Sequence, residues 1–208
     1  MQEGAKLRQE GDLLGAIRIF EGLANQGPYE PELWMQLGET VAQGFDFPRA
    51  LRIYADVARV APSAPEPFRM AGMVTEQMGE YEQAYTWYTK ALKNHRAAGL
   101  RTGLGLCLTN LGNCCFRMGL DREGAQHHEN AFQAYRLATD PVEIYARGML
   151  KLAYGKWRSG WRDFEARLQT PQSRRDRLAH LVHARIEKAP QWKGQPGRVV
   201  IFAEMGSG

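Results

Sequence analysis

An internal repeat with a period of about 34 residues constrains this chain more than any other feature. Pro31, Trp34, Gly38, Phe47, Ala50, Tyr54 and Val57 recur in the same order one period later as Pro65, Phe68, Gly72, Tyr81, Ala84, Tyr88 and Ala91. The same interval in the other direction reaches Gly4, Leu13, Ala16, Phe20 and Leu23, and Pro28 corresponds to Pro62. A unit recurring at a fixed period cannot bury its apolar face alone, so neighbouring units must stack and share a core. Beyond the third unit the interval changes. Gly72, Gly79 and Ala91 reappear after a longer step as Gly112, Gly119 and Ala131. Gly112, Gly119 and Gly124 reappear after an intermediate step as Gly148, Gly155 and Gly160. These steps divide an array at 1–30, 31–64, 65–98, 105–140 and 141–174. The extra residues near Gly99–Leu104 read as a lengthened helix and loop.

Each unit reads as two helices. In the first, a large residue precedes a glycine by one turn: Trp34 and Gly38, Phe68 and Gly72, Leu108 and Gly112. The missing Cβ lets a second helix approach closely, which offsets the ~1 kcal/mol that glycine costs inside a helix. Gly44-Phe45-Asp46, Gly79-Glu80 and Gly119-Leu120-Asp121 follow, where glycine is expected to take the positive φ that ends a helix. The second helix carries a small residue and an aromatic four apart on one face: Ala16 and Phe20, Ala50 and Tyr54, Ala84 and Tyr88. Pro28 and Pro62 then close their units. No β-rich segment precedes residue 198, so the expectation is an all-α solenoid of antiparallel helix pairs.

Composition narrows the function classes. Of 208 residues, 44% are hydrophobic, which excludes a disordered chain. No apolar run approaches the ~18 residues of a membrane span, and Met1–Lys6 carries no apolar signal core. Cytoplasmic localisation without a membrane partner is therefore expected. Cys107, Cys114 and Cys115 are odd in number and crowded into one helix, which suits a reducing compartment rather than a disulfide framework. The net charge of +4 is lopsided, because residues 156–198 hold eleven Lys/Arg against four Asp/Glu. The rest of the chain is slightly acidic, which argues against nucleic acid as the partner of the whole.

The repeated units resemble the tetratricopeptide repeat family over about residues 1–174, which implies a right-handed superhelix. In that family the first helices line a concave groove that holds extended peptides or partner helices. Carried over by position, the resemblance implies a groove of Glu32, Met35, Gln36, Glu39 and Gln43, then Arg69, Met70, Met73 and Gln77. Thr109, Asn110, Asn113 and Arg117 continue it, and Tyr145 and Met149 end it. Met35 and Met73 occupy places where the carboxylate clamp of some members needs polar donors, which argues against such a clamp. Thr109-Asn110-Leu111-Gly112-Asn113 resembles the groove-lining asparagines of O-GlcNAc transferase, whose amides can both donate to and accept from a peptide backbone.

The C-terminal segment carries a second resemblance. Ala189–Pro196 reads as a proline-bounded linker, Arg198–Glu204 as a short buried strand, and Met205–Gly208 as a glycine-rich turn. Gly160, Trp161, Phe164, Glu165 and Arg167, followed by Pro190, Trp192, Gly194, Ala203, Glu204, Gly206 and Gly208, resemble the junction in bacterial proteins that join a tetratricopeptide array to a glycosyltransferase-like domain. The implied organisation is an array over 1–174, a basic linker over 175–196, and the first strand and turn of an incomplete α/β domain over 197–208. A strand and turn without a following helix cannot cradle a diphosphate, so no enzymatic activity and no cofactor is expected of this chain by itself.

The remaining chemistry-bearing residues weigh towards structure. His127 and His128 lie near Cys114 and Cys115, but their spacing matches no zinc pattern, and His128 falls at the aromatic core position of its unit. Asp121, Glu123 and Glu129 have no convergent partners for acid–base work. Trp157 and Trp161 read as core of the last unit, and Arg174–Arg185 as a solvated face. Met35, Met70, Met73 and Met149 either fill core gaps or form an adaptable binding surface. The expected function is to bind a partner protein or peptide in the groove. Self-association of the array and a fragment of a protein glycosyltransferase are the alternatives.

Overall fold

The computed structural model describes residues 1–169, in which ten α-helices succeed one another as five hairpins. α1 (Gln2–Glu10) pairs with α2 (Leu13–Gln26), α3 (Pro31–Gln43) with α4 (Phe47–Val60), and α5 (Pro65–Gln77) with α6 (Tyr81–Ala97). α7 (Leu104–Arg117) pairs with α8 (Asp121–Ala134), and α9 (Pro141–Ala153) with α10 (Trp157–Phe164). The expected linker at 175–196 and strand at 197–208 lie outside the described residues.

One turn is used five times. A left-handed residue follows each first helix: Gly11, Phe45, Gly79, Gly119 and Gly155, with φ of 88°, 62°, 81°, 75° and 69°. The next backbone N–H then reaches back to the helix in every pair: Asp12 to Leu7, Asp46 to Val41, Glu80 to Thr75, Leu120 to Cys115 and Lys156 to Lys151. This pairing satisfies carbonyls that a helix end otherwise leaves open. The sequence reading is corrected at the second turn. Gly44 has φ −81°, and Phe45, not the glycine, takes the left-handed position. Phe45 stands one period from both Gly11 and Gly79, so the repeat outweighs the local preference for glycine. Two second helices start on caps placed by the same turn, with Asp12 accepting from Gly15 N at 2.8 Å and Asp46 from Arg49 N at 3.2 Å. Three first helices, α3, α5 and α9, open on proline, which forfeits only an N–H that had no partner there.

Within each hairpin a first-helix glycine faces the residue sixteen positions on. A Cβ at Gly4 would stand 2.9 Å from the Phe20 ring, and one at Gly38 or Gly72 would stand 2.6 Å from the rings of Tyr54 or Tyr88. Gly112 faces His128 in the same way, and Gly148 faces the backbone of Asp163 and Phe164. Phe20, Tyr54 and Tyr88 are fully buried, each beside its alanine (Ala16, Ala50, Ala84). One apolar cluster runs through α1–α5 and another through α4–α9, with Trp87 packed against both. The last two steps are longer. α6 has 17 residues where α4 has 14, and the connection to α7 bends at Gly99 and Gly103. Gly103 N donates to the buried Glu143 carboxylate at 2.7 Å, tying that connection to α9.

First helices approach one another across the array, α5 touching α7 and α7 touching α9, while no two second helices come as near among the described residues. The first helices therefore line the inner face. Three substitutions with different expected signs test the packing. Gly72→Ala should destabilise by ~1–3 kcal/mol through overpacking against Tyr88. Gly22→Ala, inside α2 with nothing near the added Cβ, should stabilise by up to ~1 kcal/mol. Phe45→Gly should also stabilise, by ~1 kcal/mol, by relieving a left-handed non-glycine residue. Urea titration of each variant measures all three.

Candidate protein-binding groove

The inner face carries its polar groups at helical intervals, but many are already engaged within the chain. Arg8 of α1, almost fully buried, donates from Nη1 to Glu39 Oε2 at 2.6 Å and from Nη2 to Gln36 Oε1 at 2.7 Å. Gln43 Nε2 reaches the other oxygen of Glu39 at 3.5 Å. Of the groove residues predicted on α3, Gln36 and Glu39 thus join α1 to α3, while Met35 and Glu32 have no such tie. Arg8 itself escaped the sequence reading. It lies one helical turn after Gly4, where the next two units have Ala42 and Glu76, so no recurrence marks it.

On α5, Arg69 lies along the inner face with its side chain 15% exposed. Its Nε donates to Glu66 Oε2 at 2.9 Å and its Nη2 to Glu66 Oε1 at 2.5 Å, a two-point pair of planar groups. Burial opposes charge on Glu66, yet its bonds to Arg69 hold the carboxyl below the usual carboxylate range. The same guanidinium meets the sulfurs of Met73 at 2.9 Å and Met70 at 3.3 Å. Met73 and Gln77 are exposed, and Met70 is half-buried.

On α7 the predicted residues divide. Thr109 donates back to the Gly105 carbonyl at 2.9 Å and faces Tyr135 Oη at 3.1 Å. Asn113 Oδ1 is 3.0 Å from His128 Nε2, which also faces the Thr109 carbonyl at 3.2 Å. Two acceptors at Nε2 place the imidazole proton there, so Nδ1 accepts from Tyr154 Oη at 3.1 Å. Asn110 is half-buried, and Arg117 is exposed. On α9, Tyr145 packs against Phe164 with ring centroids 5.3 Å apart, and Met149 is exposed.

Part of this face is concave. A cleft of about 480 Å³ lies between α3 and α5, with Met35, Met70, Val57, Ala61 and Ala64 among its apolar walls and Glu32, Glu39, Glu66 and Arg69 at its polar positions. Six predicted groove residues meet there: Glu32, Met35, Gln36, Glu39, Arg69 and Met70. Gln43, Met73, Gln77, Thr109, Asn110, Asn113, Arg117, Tyr145 and Met149 stand outside it. Val57, Ala61 and Ala64 were invisible to a reading of first helices alone, because they come from α4 and the turn after it.

Groups that suggest chemistry are otherwise occupied. Burial pushes the Cys107 thiol up to about 12 and the Cys114 thiol up to about 11, so neither is a thiolate at neutral pH. They donate instead to the carbonyls of Tyr88 at 3.3 Å and Tyr81 at 2.9 Å. Trp157 and Trp161 correct the sequence reading. They are 62% and 56% exposed, because α10 turns Gly160 and Asp163 inward. Asp163 accepts from Arg147 Nε and Lys151 Nζ, both at 2.6 Å, and joins α10 to α9.

No family model and no curated protein matches the sequence. Solved structures do. A crystal structure of MamA superposes with a TM-score of 0.57 at 17% identity, covering 91% of this chain and 99% of that chain. A second MamA crystal structure gives 0.57 at 19% identity, covering 81% and 88%. The MamA 41-end structure from Desulfovibrio magneticus RS-1 gives 0.57 at 16% identity, covering 83% and 93%. MamA is a tetratricopeptide-repeat protein, and the fold of this chain is a helical solenoid of that type.

Two outcomes test the site's internal ties. Arg8→Met, which keeps the bulk and removes the donors, should cost ~1–3 kcal/mol in urea unfolding. Burial holds the imidazoles of His95, His127 and His128 below the ordinary histidine range. The unfolded chain therefore takes up these protons first. Their stabilising effect should be complete above pH ~6.5, decline as the pH falls below that, and level off past the depressed native values. His128→Phe should reduce that decline in urea titrations run between about pH 7 and pH 5.

Proposed function

We propose that this chain is a protein-interaction module whose inner face holds a segment of a partner protein. The observation that carries this reading is the cleft between α3 and α5, where the flexible thioethers of Met35 and Met70 line an opening on the face formed by the first helices. Exposed Met73, Gln77, Asn113 and Arg117 extend accessible surface along that face. The tetratricopeptide-type fold supports the reading, since stacked hairpins present such surfaces. Cys107, Cys114 and His128 do not enter this reading, since the two thiols are held protonated by burial and the imidazole has a partner on each nitrogen.

A photo-crosslinking residue placed at Gln77 or Arg117 should capture one protein from the source cell. The same residue at Arg52 or Thr86, exposed on the second helices α4 and α6, should not. Equal capture from both faces, or none from the inner face, overturns the proposal. Capture of the chain itself, with a mass in light scattering that grows above 23.5 kDa with concentration, replaces it with a self-associating scaffold.

The match from Pro190 to Gly208 favours a second, finer reading, in which the array selects acceptors for a glycosyltransferase-like domain. A reading frame that continues past Gly208 as alternating strands and helices would support it, and an immediate stop codon would overturn it.

A further inference from the structure

The cleft between α3 and α5 has a side-chain cause that points to its occupant. Its wall at the end of α4 is built from Ala61 and Ala64. The residue one period after Ala61 is His95, which is 3% exposed and whose imidazole lies 3.0 Å from where a Cβ on Gly103 would stand. A buried imidazole thus stands at the register position where Ala61 offers only a methyl to the cleft wall.

The charges at the opening are uneven. Both nearby guanidiniums are committed within the chain, Arg8 to Glu39 and Arg69 to Glu66. Glu32 is exposed in the first turn of α3 and joins no ion pair among the described residues, and the outer oxygen of Glu39 meets an amide at 3.5 Å. Three carboxylates thus face the opening against two occupied cations. A ligand carboxylate would be repelled, and an ammonium or guanidinium beside the cleft would gain Glu32.

We propose that this cleft is the anchoring subsite of the groove, and that it takes one large apolar side chain of a partner peptide with a Lys or Arg next to it. The methionine and valine walls receive the apolar group, and Glu32 receives the cation. This rests on the protein-interaction reading above, and the experiment separates the two.

A phage library of random dodecapeptides is selected on the full chain, and recovered sequences are synthesised and titrated by fluorescence anisotropy. The expected peptides pair Leu, Met or Phe with an adjacent Lys or Arg. Their affinity should fall about tenfold or more in Ala61→His and severalfold in Glu32→Lys, with melting temperatures unchanged. If Ala61→His does not fold, Ala64→Leu and Glu32→Lys carry the same test. Peptides rich in Asp or Glu overturn the proposal. Peptides indifferent to the cleft variants but weakened by Asn110→Ala or Arg117→Ala overturn the subsite and leave the groove reading standing. Failure to recover any peptide that binds the unmodified chain overturns both.

Discussion

The contact between a first-helix glycine and the residue sixteen positions later holds each hairpin at its working distance. Gly4 with Phe20, Gly38 with Tyr54 and Gly72 with Tyr88 put a ring where a Cβ would otherwise stand. Protein interiors pack at crystal-like density, so one added methyl at such a point displaces a whole helix. The pairing also sets which faces remain. Once the glycine stripe is turned to the second helix, the neighbouring stripe holding Met35, Arg69, Met70 and Asn113 must face inward. The left-handed turn closes the hairpin at the one length that keeps glycine and ring opposite. That requirement places Phe45 in a conformation its side chain disfavours.

The inner face is less free than its composition implies. Arg8, Glu39 and Gln36 join the first two hairpins, and Asn113, His128 and Tyr154 join the last two. Stacked hairpins leave polar side chains on facing helices within reach of one another, and a half-buried polar group without a partner carries a desolvation cost. On the proposed reading, a partner held on this face would compete with these in-chain bonds. Ala61 and Ala64 bring only methyl side chains to the cleft wall, and no side-chain hydrogen bond can start from them.

Cys107, Cys114 and His128 are engaged in packing contacts within the array. Cys107 and Cys114 donate to carbonyls in the neighbouring hairpin, and His128 replaces the aromatic ring of its unit while keeping three polar contacts. A histidine at a ring position is tolerated because its neutral form can be hydrogen-bonded on both nitrogens. The same histidine joins the fourth hairpin to the fifth through Tyr154, and burial holds its imidazole below the ordinary histidine range.

The period, the glycines, the buried alanine–aromatic pairs and hence the stacked hairpins were legible in the sequence, because each is a local rule repeated at a fixed interval. Gly44 misled because the left-handed turn position is set by the register of the whole hairpin, and local composition points one residue early. Trp157 and Trp161 misled because aromatic character does not say which way a helix is turned. Here the close approach of Gly148 to the α10 backbone, with Asp163 bonded to Arg147 and Lys151, decides it. Arg8 and the Ala61–Ala64 wall could come only from the tertiary structure. They depend on residues from different hairpins meeting once, and a contact made once leaves no periodic trace.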